Sequence, residues 1–301
     1  MRYVRLDNLA VLRVLGDDRA TFLQGQLTQD LFKLTDTQSL LAGWANPKGR
    51  LLCIMQLCQR GDEILAILPA DLLDAVARRL QMFVLRADVR LEPAELEVFG
   101  LLELPEADPS SIAGIELPAA PGACAASDEL LVARAPTDAG RALALGAADI
   151  LESLLAADGD PADFAAWAHA AVAAGVPTIA AAGSEAFVPQ MVNLDLLGGI
   201  SFSKGCYVGQ EVVARTQNLG RIKRRMFRYA LHDAGPVAEG DPLLGDDGGR
   251  VGTVVNSVAA GDDWELLAVV SLDKHDGPLR TANGGGLEPL PLPYEIPALT
   301  D

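Results

Sequence analysis

The chain has 301 residues, half of them hydrophobic, which is enough for a sizeable core and for more than one domain. Its 41 acidic and 24 basic residues leave a net charge of −17, which argues against binding bulk nucleic acid or an anionic membrane surface unless basic groups are concentrated locally. The opening MRYVRLDNLAVLRVLGDD is interrupted by charge too often for a signal peptide, and no later run approaches the ~18 apolar residues of a membrane span, so a cytoplasmic protein is expected.

In chain order, the apolar periodicity predicts strands at YVRL (3–6) and AVLRVL (10–15), then a helix from Asp17 through Leu27. Strands follow at 39–46, 51–57 and 63–68, a helix at 69–85 and a strand at 88–92. ANPKGR is a turn, because Pro47 fixes φ and Gly49 can take positive φ. The Ala- and Pro-rich stretch after residue 100 offers a strand at LLVARA and a helix at DFAAWAHAAVAAG, ending on Gly175 with Pro177 beyond it. From Met226 the texture changes to short strands, MFRYALH, RVGTVVNSV and WELLAVVSL, separated by turns such as GDPLLGDDGG. The expected class is α+β, with one unit over 1–100, a second over 101–225 and a small C-terminal β-barrel over 226–301.

The four cysteines are too scattered for a disulfide scaffold. Cys53 and Cys58 lie five apart on one strand and therefore on opposite faces, as small core residues. Cys124, in the small-residue loop PGACAAS, has no partner nearby and no assigned role. Cys206 is different. In KGCYVGQEVVAR it stands just ahead of a helix that Gly209 can cap, where free N–H groups, the helix dipole and Lys204 would favour a thiolate. A lone loop cysteine is otherwise a small turn residue, but Gly205 and Gly209 leave room for a ligand against the backbone. His169, His232 and His275 fit no zinc spacing and no C-x-x-C is present, so no permanently bound metal is expected. Between Ile200 and Arg228 the residues Lys204, Arg215, Arg221, Lys223, Arg224, Arg225 and Arg228 face one acid, Glu211, so this stretch carries +6 and the remainder −23. It is either a local anion site or a solvated basic segment.

FVPQMVNLDLLGGISFSKGCYVGQEVVAR closely resembles the signature region of the YgfZ family, whose hallmark is K-G-C-Y-x-G-Q-E. FLQGQLTQDL, ANPKGR and EPLPLPY match further blocks in the same order, so the resemblance covers essentially the whole chain. It implies the fold of the glycine-cleavage T-protein: two ferredoxin-like units around a folate cavity, then a β-barrel. It also implies tetrahydrofolate or a derivative as cofactor, and iron–sulfur client or assembly proteins as partners, with an indirect part in tRNA modification. On that resemblance Cys206 is the key cysteine and Lys204 its accompanying base or anion contact. Gly205, Tyr207, Gly209, Gln210 and Glu211 complete the motif, and Trp167, Gln190, Asn193 and Arg215 are the candidate cofactor contacts.

The chain departs from the T-proteins at telling places. Leu52 and Cys53 stand where those enzymes carry adjacent aspartates, so aminomethyl transfer is expected to be absent. Ala173 replaces the glutamate that grips the pterin ring in T-proteins and many of their relatives, and Leu9 takes the place of the second pocket tryptophan that the YgfZ resemblance implies beside Trp167. The first expectation is thus a folate-type fold that supports iron–sulfur clusters through Cys206. The alternative is a tetrahydrofolate-dependent one-carbon transferase. Direct binding of nucleic acid is not expected.

Overall fold

The strongly apolar segments of the first hundred residues fold as the strands their pattern predicts, in a computed structural model that describes residues 1–218, 222–232 and 235–297. The chain forms two compact units that interleave in sequence. One comprises Met1–Trp44, Cys53–Trp167 and Gly198–Val208, the other Ala45–Leu52, Ala168–Leu197 and Gly209–Asp301.

The first unit is built on two sheets. Leu40–Ala45, Leu51–Arg60, Glu63–Pro69, Leu9–Leu15 and Arg90–Pro93 form a five-stranded sheet in that order. The six-stranded sheet runs Cys124–Ala126, Leu130–Ala135, Asp138–Gly146, Glu97–Leu102, Arg2–Arg5 and Asp160–Pro161. The first strand of the chain thus joins the later sheet, antiparallel to Glu97–Leu102 and parallel to Asp160–Pro161.

Both faces of the six-stranded sheet are covered, and its sequence shows why. Val98, Leu131, Ala133, Leu143 and Leu145 enter one core with Val11, Cys58, Leu65 and Ile67 of the other sheet. Their strand neighbours Phe99, Leu101, Leu130, Val132, Ala142 and Ala144 enter a second core, with Leu151 and Leu155 from the helix Ala148–Asp158. Alternate residues point to opposite faces, so a strand with two buried faces reads as an unbroken apolar run. Arg134 is buried among them and donates to the carbonyls of Pro118 (2.7 Å), Ala139 and Asp108 (3.2 Å) and to Ser110 Oγ (2.9 Å).

Helix Leu73–Val84, entered through a 3-10 turn at Ala70–Leu72, buries Val76, Leu80 and Val84 at helical spacing. The predicted helix after Asp17 is shorter, Arg19–Gln24. Cys124 is not in a loop but on the outermost strand of its sheet, 2% exposed.

The second unit carries a closed barrel in the order Arg224–Leu231, Asp263–Ser271, Arg250–Ala260, Pro242–Leu244, Leu279–Thr281 and Gly286–Leu290. Tyr229, Leu231, Leu243, Val254, Leu266, Ala268, Val270 and Leu279 fill it. Pro242–Leu244 falls inside the segment predicted as a turn, because three residues are too few for alternation to show.

Candidate functional site

Cys206 is exposed, whereas Cys53, Cys58 and Cys124 are buried. Its loop, 198–208, is laced to the segment that the sequence motif FLQGQLTQDL covers. Thr28 donates its hydroxyl to Gly199 O (2.6 Å) and accepts from Ser201 N–H at its carbonyl (2.9 Å), while the Gln29 amide donates to Gly198 O. Val208 N–H reaches Gly25 O at 3.3 Å.

Lys204 completes this lacing. Its ammonium donates to Gln24 O (2.6 Å), Leu27 O (2.8 Å) and Gln29 O (2.8 Å). An ammonium has three N–H donors, so none is left for a thiolate or an anion. The acceptors lie at and beyond the C-terminus of helix Arg19–Gln24, where carbonyls lack intrahelical partners and the dipole favours a cation. Burial lowers the lysine pKa to about 8, against the opposing charge of Asp30. The three carbonyls favour the charged form. The ammonium also lies 5.1 Å from the Tyr207 ring centroid, and burial pushes that phenol up to about 12.

The motif glycines differ from each other. Gly205 would meet nothing within 4 Å if it carried a Cβ. Gly209 has φ +82 and a Cβ there would lie 2.5 Å from Asn46 O, while at Gly49 (φ +70) a Cβ would lie 2.6 Å from Val212 Cβ. The ANPKGR turn and the start of helix Gln210–Asn218 therefore interlock through two glycines inside the second unit. The Asn46 side chain closes the turn by accepting from Lys48 N–H (2.9 Å) and Arg50 N–H (3.1 Å). Gln210 and Glu211 form the first turn of the helix, and Glu211 is exposed. The boundary between the units falls between Val208 and Gly209.

The candidate cofactor contacts do not form one group. Gln190 and Asn193 are fully buried in the second unit. Gln190 donates to Val213 O at 2.8 Å, and Asn193 donates to Met226 O at 2.7 Å and to the Tyr294 hydroxyl at 3.2 Å. Asn193 also adopts φ 59, a left-handed conformation that asparagine tolerates. Both amides hold the unit together. Arg215 is exposed on its helix. Trp167 belongs to the first unit, where its ring lies against Gly100 and under the Arg141 guanidinium, 5.1 Å from the centroid. Arg141 is buried and pairs with Asp138 at 2.6 Å; burial lowers its pKa and Asp138 opposes that. Leu9 and Trp167 border the same core.

Of the basic stretch, Lys204, Arg225 and Arg228 are committed to internal partners. Arg225, 3% exposed, reaches both carboxylate oxygens of Asp195 at 2.6 and 2.8 Å and Gln190 O at 2.8 Å. Arg228 pairs with Glu265 at 2.5 Å, which His169 also approaches at 3.2 Å. Arg215, Lys223 and Arg224 are exposed, and Arg221 lies outside the described residues. Leu52 is 6% exposed and Cys53 is fully buried, its thiol pushed up to about 12 by burial. Among the described residues no group of three or more His, Cys, Asp or Glu could hold a metal ion, and no helix is long and apolar enough to cross a membrane.

No protein-family model matches the chain. The tRNA-modifying protein YgfZ of Yersinia pestis (strain Pestoides F) is 32% identical over 308 residues, covering 97% of this chain and 92% of the relative. That of Enterobacter sp. (strain 638) is 32% identical over 323 residues, covering 97% and 93%. Among solved structures, the glycine cleavage system aminomethyltransferase T from Bartonella henselae superposes with a TM-score of 0.66 at 15% identity, over 99% of this chain and 87% of that one. At that identity the likeness is one of fold.

Proposed function

The chain belongs to the YgfZ family, and from that premise we propose that it supports the assembly or repair of iron–sulfur clusters in client enzymes, tRNA-modifying ones among them, through the thiol of Cys206. The observation that carries this reading is the exposure of Cys206 alone among four cysteines, on a loop fixed by the three bonds of Lys204. An accessible thiol on a pinned loop can meet a sulfur, a metal ion or a cluster edge presented by a partner protein. In this proposal the cluster is cargo and Lys204 positions the loop.

A folate is the ligand that likeness to the T-proteins implies. The side chains do not fit its pterin: Ala173 offers no carboxylate, the Asn193 amide is used within its own unit, and Gln190, bonded to Val213 O through Nε2, has only its buried Oε1 unpartnered. Of the candidate contacts Trp167 is the aromatic one, and Arg141 already lies over it. No step of the proposal runs through folate. One-carbon transfer is disfavoured because Leu52 and Cys53 supply no carboxylate to a developing iminium.

The test is complementation of a bacterial strain that lacks its own YgfZ. The wild-type chain is expected to restore iron–sulfur-dependent tRNA thiomethylation and Cys206→Ser is not. Equal restoration by the two would overturn the role of Cys206. Calorimetry with tetrahydrofolate is expected to show no saturable binding below about 1 mM, a Kd worth about −4 kcal/mol.

A further inference from the structure

The segments 30–34 and 198–208 bury Leu31, Leu34, Ile200 and Tyr207, so polar side chains are expected at their outward positions. Two of those positions are aromatic instead: Phe32 is 67% exposed and Phe202, on the loop of Cys206, is 47% exposed.

Gln24 ties the two segments to one point. Its side-chain Oε1 accepts from Leu31 N–H (2.7 Å) and its Nε2 donates to Asp30 Oδ1 (2.9 Å), while its backbone carbonyl accepts from the Lys204 ammonium (2.6 Å). Asp30 Oδ1 also accepts from Phe32 N–H at 3.4 Å, so this carboxylate is engaged within its own turn. The exposed side chains of the two segments are then Phe32, Lys33, Phe202, Ser203 and Cys206, with one cation and no acid, on a chain whose net charge is −17. Lys33 makes no ion pair among the described residues.

Aromatic side chains with few charges, on a backbone that is already fixed, are the make-up of the centre of a protein–protein contact. An anionic membrane would call for a cluster of about four or more cations. A two-fold contact between copies would set Lys33 in the same interface as its own counterpart and close off both thiols. We propose that this surface is the docking site of the iron–sulfur partner protein that Cys206 serves, a partner whose contact face offers apolar sockets to Phe202 and Phe32 and a carboxylate to Lys33. The proposal rests on the reading of Cys206 given above and adds the surface that selects which protein reaches the thiol. Because Gln24 and Lys204 hold both segments, docking orders little that was not ordered before.

The experiment uses the full chain in the strain that lacks its own YgfZ, expressed where tRNA thiomethylation rises in proportion to the protein. The double variant Phe32→Ser/Phe202→Ser is expected to lower thiomethylation by about tenfold or more, as the loss of aromatic anchors does. Lys33→Glu should lower it less, and Phe202→Leu, which keeps an apolar anchor, should retain most of it. The purified double variant should label with a maleimide at Cys206 at the wild-type rate. Full restoration by the double variant, where Cys206→Ser fails, would overturn the docking surface and leave the role of Cys206 standing. Equal restoration by Cys206→Ser would remove that role and the proposal with it. Loss of thiomethylation together with a changed maleimide rate would also overturn it, because the phenyl rings would then be shaping the thiol. A photoreactive benzoylphenylalanine at residue 202 gives a second measurement that does not depend on the variants folding. It should form an adduct with an iron–sulfur protein that Lys33→Glu suppresses; an adduct of two copies, or none, would count against the proposal. So would binding to phosphatidylglycerol vesicles that the double variant loses.

Discussion

Replacing Lys204 by methionine separates a clamp from a charge partner. The substitution keeps most of the stem and removes an ammonium that satisfies three carbonyls at 2.6, 2.8 and 2.8 Å. Hydrogen bonds to charged groups contribute about 1.5–3 kcal/mol each, but Gln24 and Gln29 are only partly buried and their carbonyls can recover water, and the half-buried ammonium had itself lost hydration. A net loss of about 2–4 kcal/mol follows, or roughly 30- to 1,000-fold in the equilibrium that holds the loop closed. Denaturant unfolding gives the first number. The second readout is the rate at which Cys206 reacts with a maleimide at fixed pH in native buffer. A clamp predicts faster labelling in Lys204→Met, because the loop opens; a charge partner predicts slower labelling, because the thiolate loses its cation. Lys204→Arg should rescue little, since a planar guanidinium cannot match three carbonyls arranged around one nitrogen. Unchanged stability, within about 0.5 kcal/mol, together with slower labelling would refute the clamp.

The two motif glycines should diverge on melting: Gly209→Ala is expected to cost about 2 kcal/mol or more, because its φ is +82 and its Cβ would strike Asn46 O, while Gly205→Ala stays within about 0.5 kcal/mol. Asp195→Ala strands the buried Arg225 guanidinium and should cost about 3–5 kcal/mol, seen as early unfolding of the barrel unit by near-ultraviolet circular dichroism. Burial raises the Glu63 pKa, but Arg13 at 2.6 Å and Arg60 at 2.7 Å outweigh it and hold the carboxyl below its ordinary value. Its stabilisation is therefore present above the ordinary glutamate value near pH ~4.3 and is lost as pH falls through the lower folded value; the stability gap between wild type and Glu63→Gln should be widest at neutral pH and close in acid.

Long apolar strands such as Leu51–Arg60 and Glu63–Pro69 were legible because hydrophobic runs bounded by turn residues leave few alternatives. The strand Asp138–Gly146 was not: DAGRALALG lacks β-branched residues, and its place is decided by neighbours on both sides. Cys124–Ala126 was hidden for a similar reason, being three small residues held by cross-strand pairing. At the site, residue types singled out Cys206, and of the four cysteines it is the exposed one. They could not reveal what Lys204 does. Its partners are backbone carbonyls, which every residue owns, so no side-chain pattern records them. Asn193 illustrates the converse: a polar residue near a motif invites a ligand reading, yet burial without bonds is costly, and its amide is matched to Met226 and Tyr294 of its own unit, whereas Gln190 bonds Val213 O through Nε2 and leaves Oε1 buried without a partner.

The six-stranded sheet, buried on both faces, raises a problem of register. Where one face is wet, slipping a strand by one residue turns its apolar side to water and is rejected at once; a strand apolar on both sides carries no such penalty. Shape must supply what polarity does not. Gly100 is the notch: a Cβ there would lie 2.5 Å from Trp167, so a shift of one residue would drive Phe99 or Leu101 into the indole. A single hydrogen atom in place of a side chain thereby indexes the strand Glu97–Leu102 against the indole of Trp167.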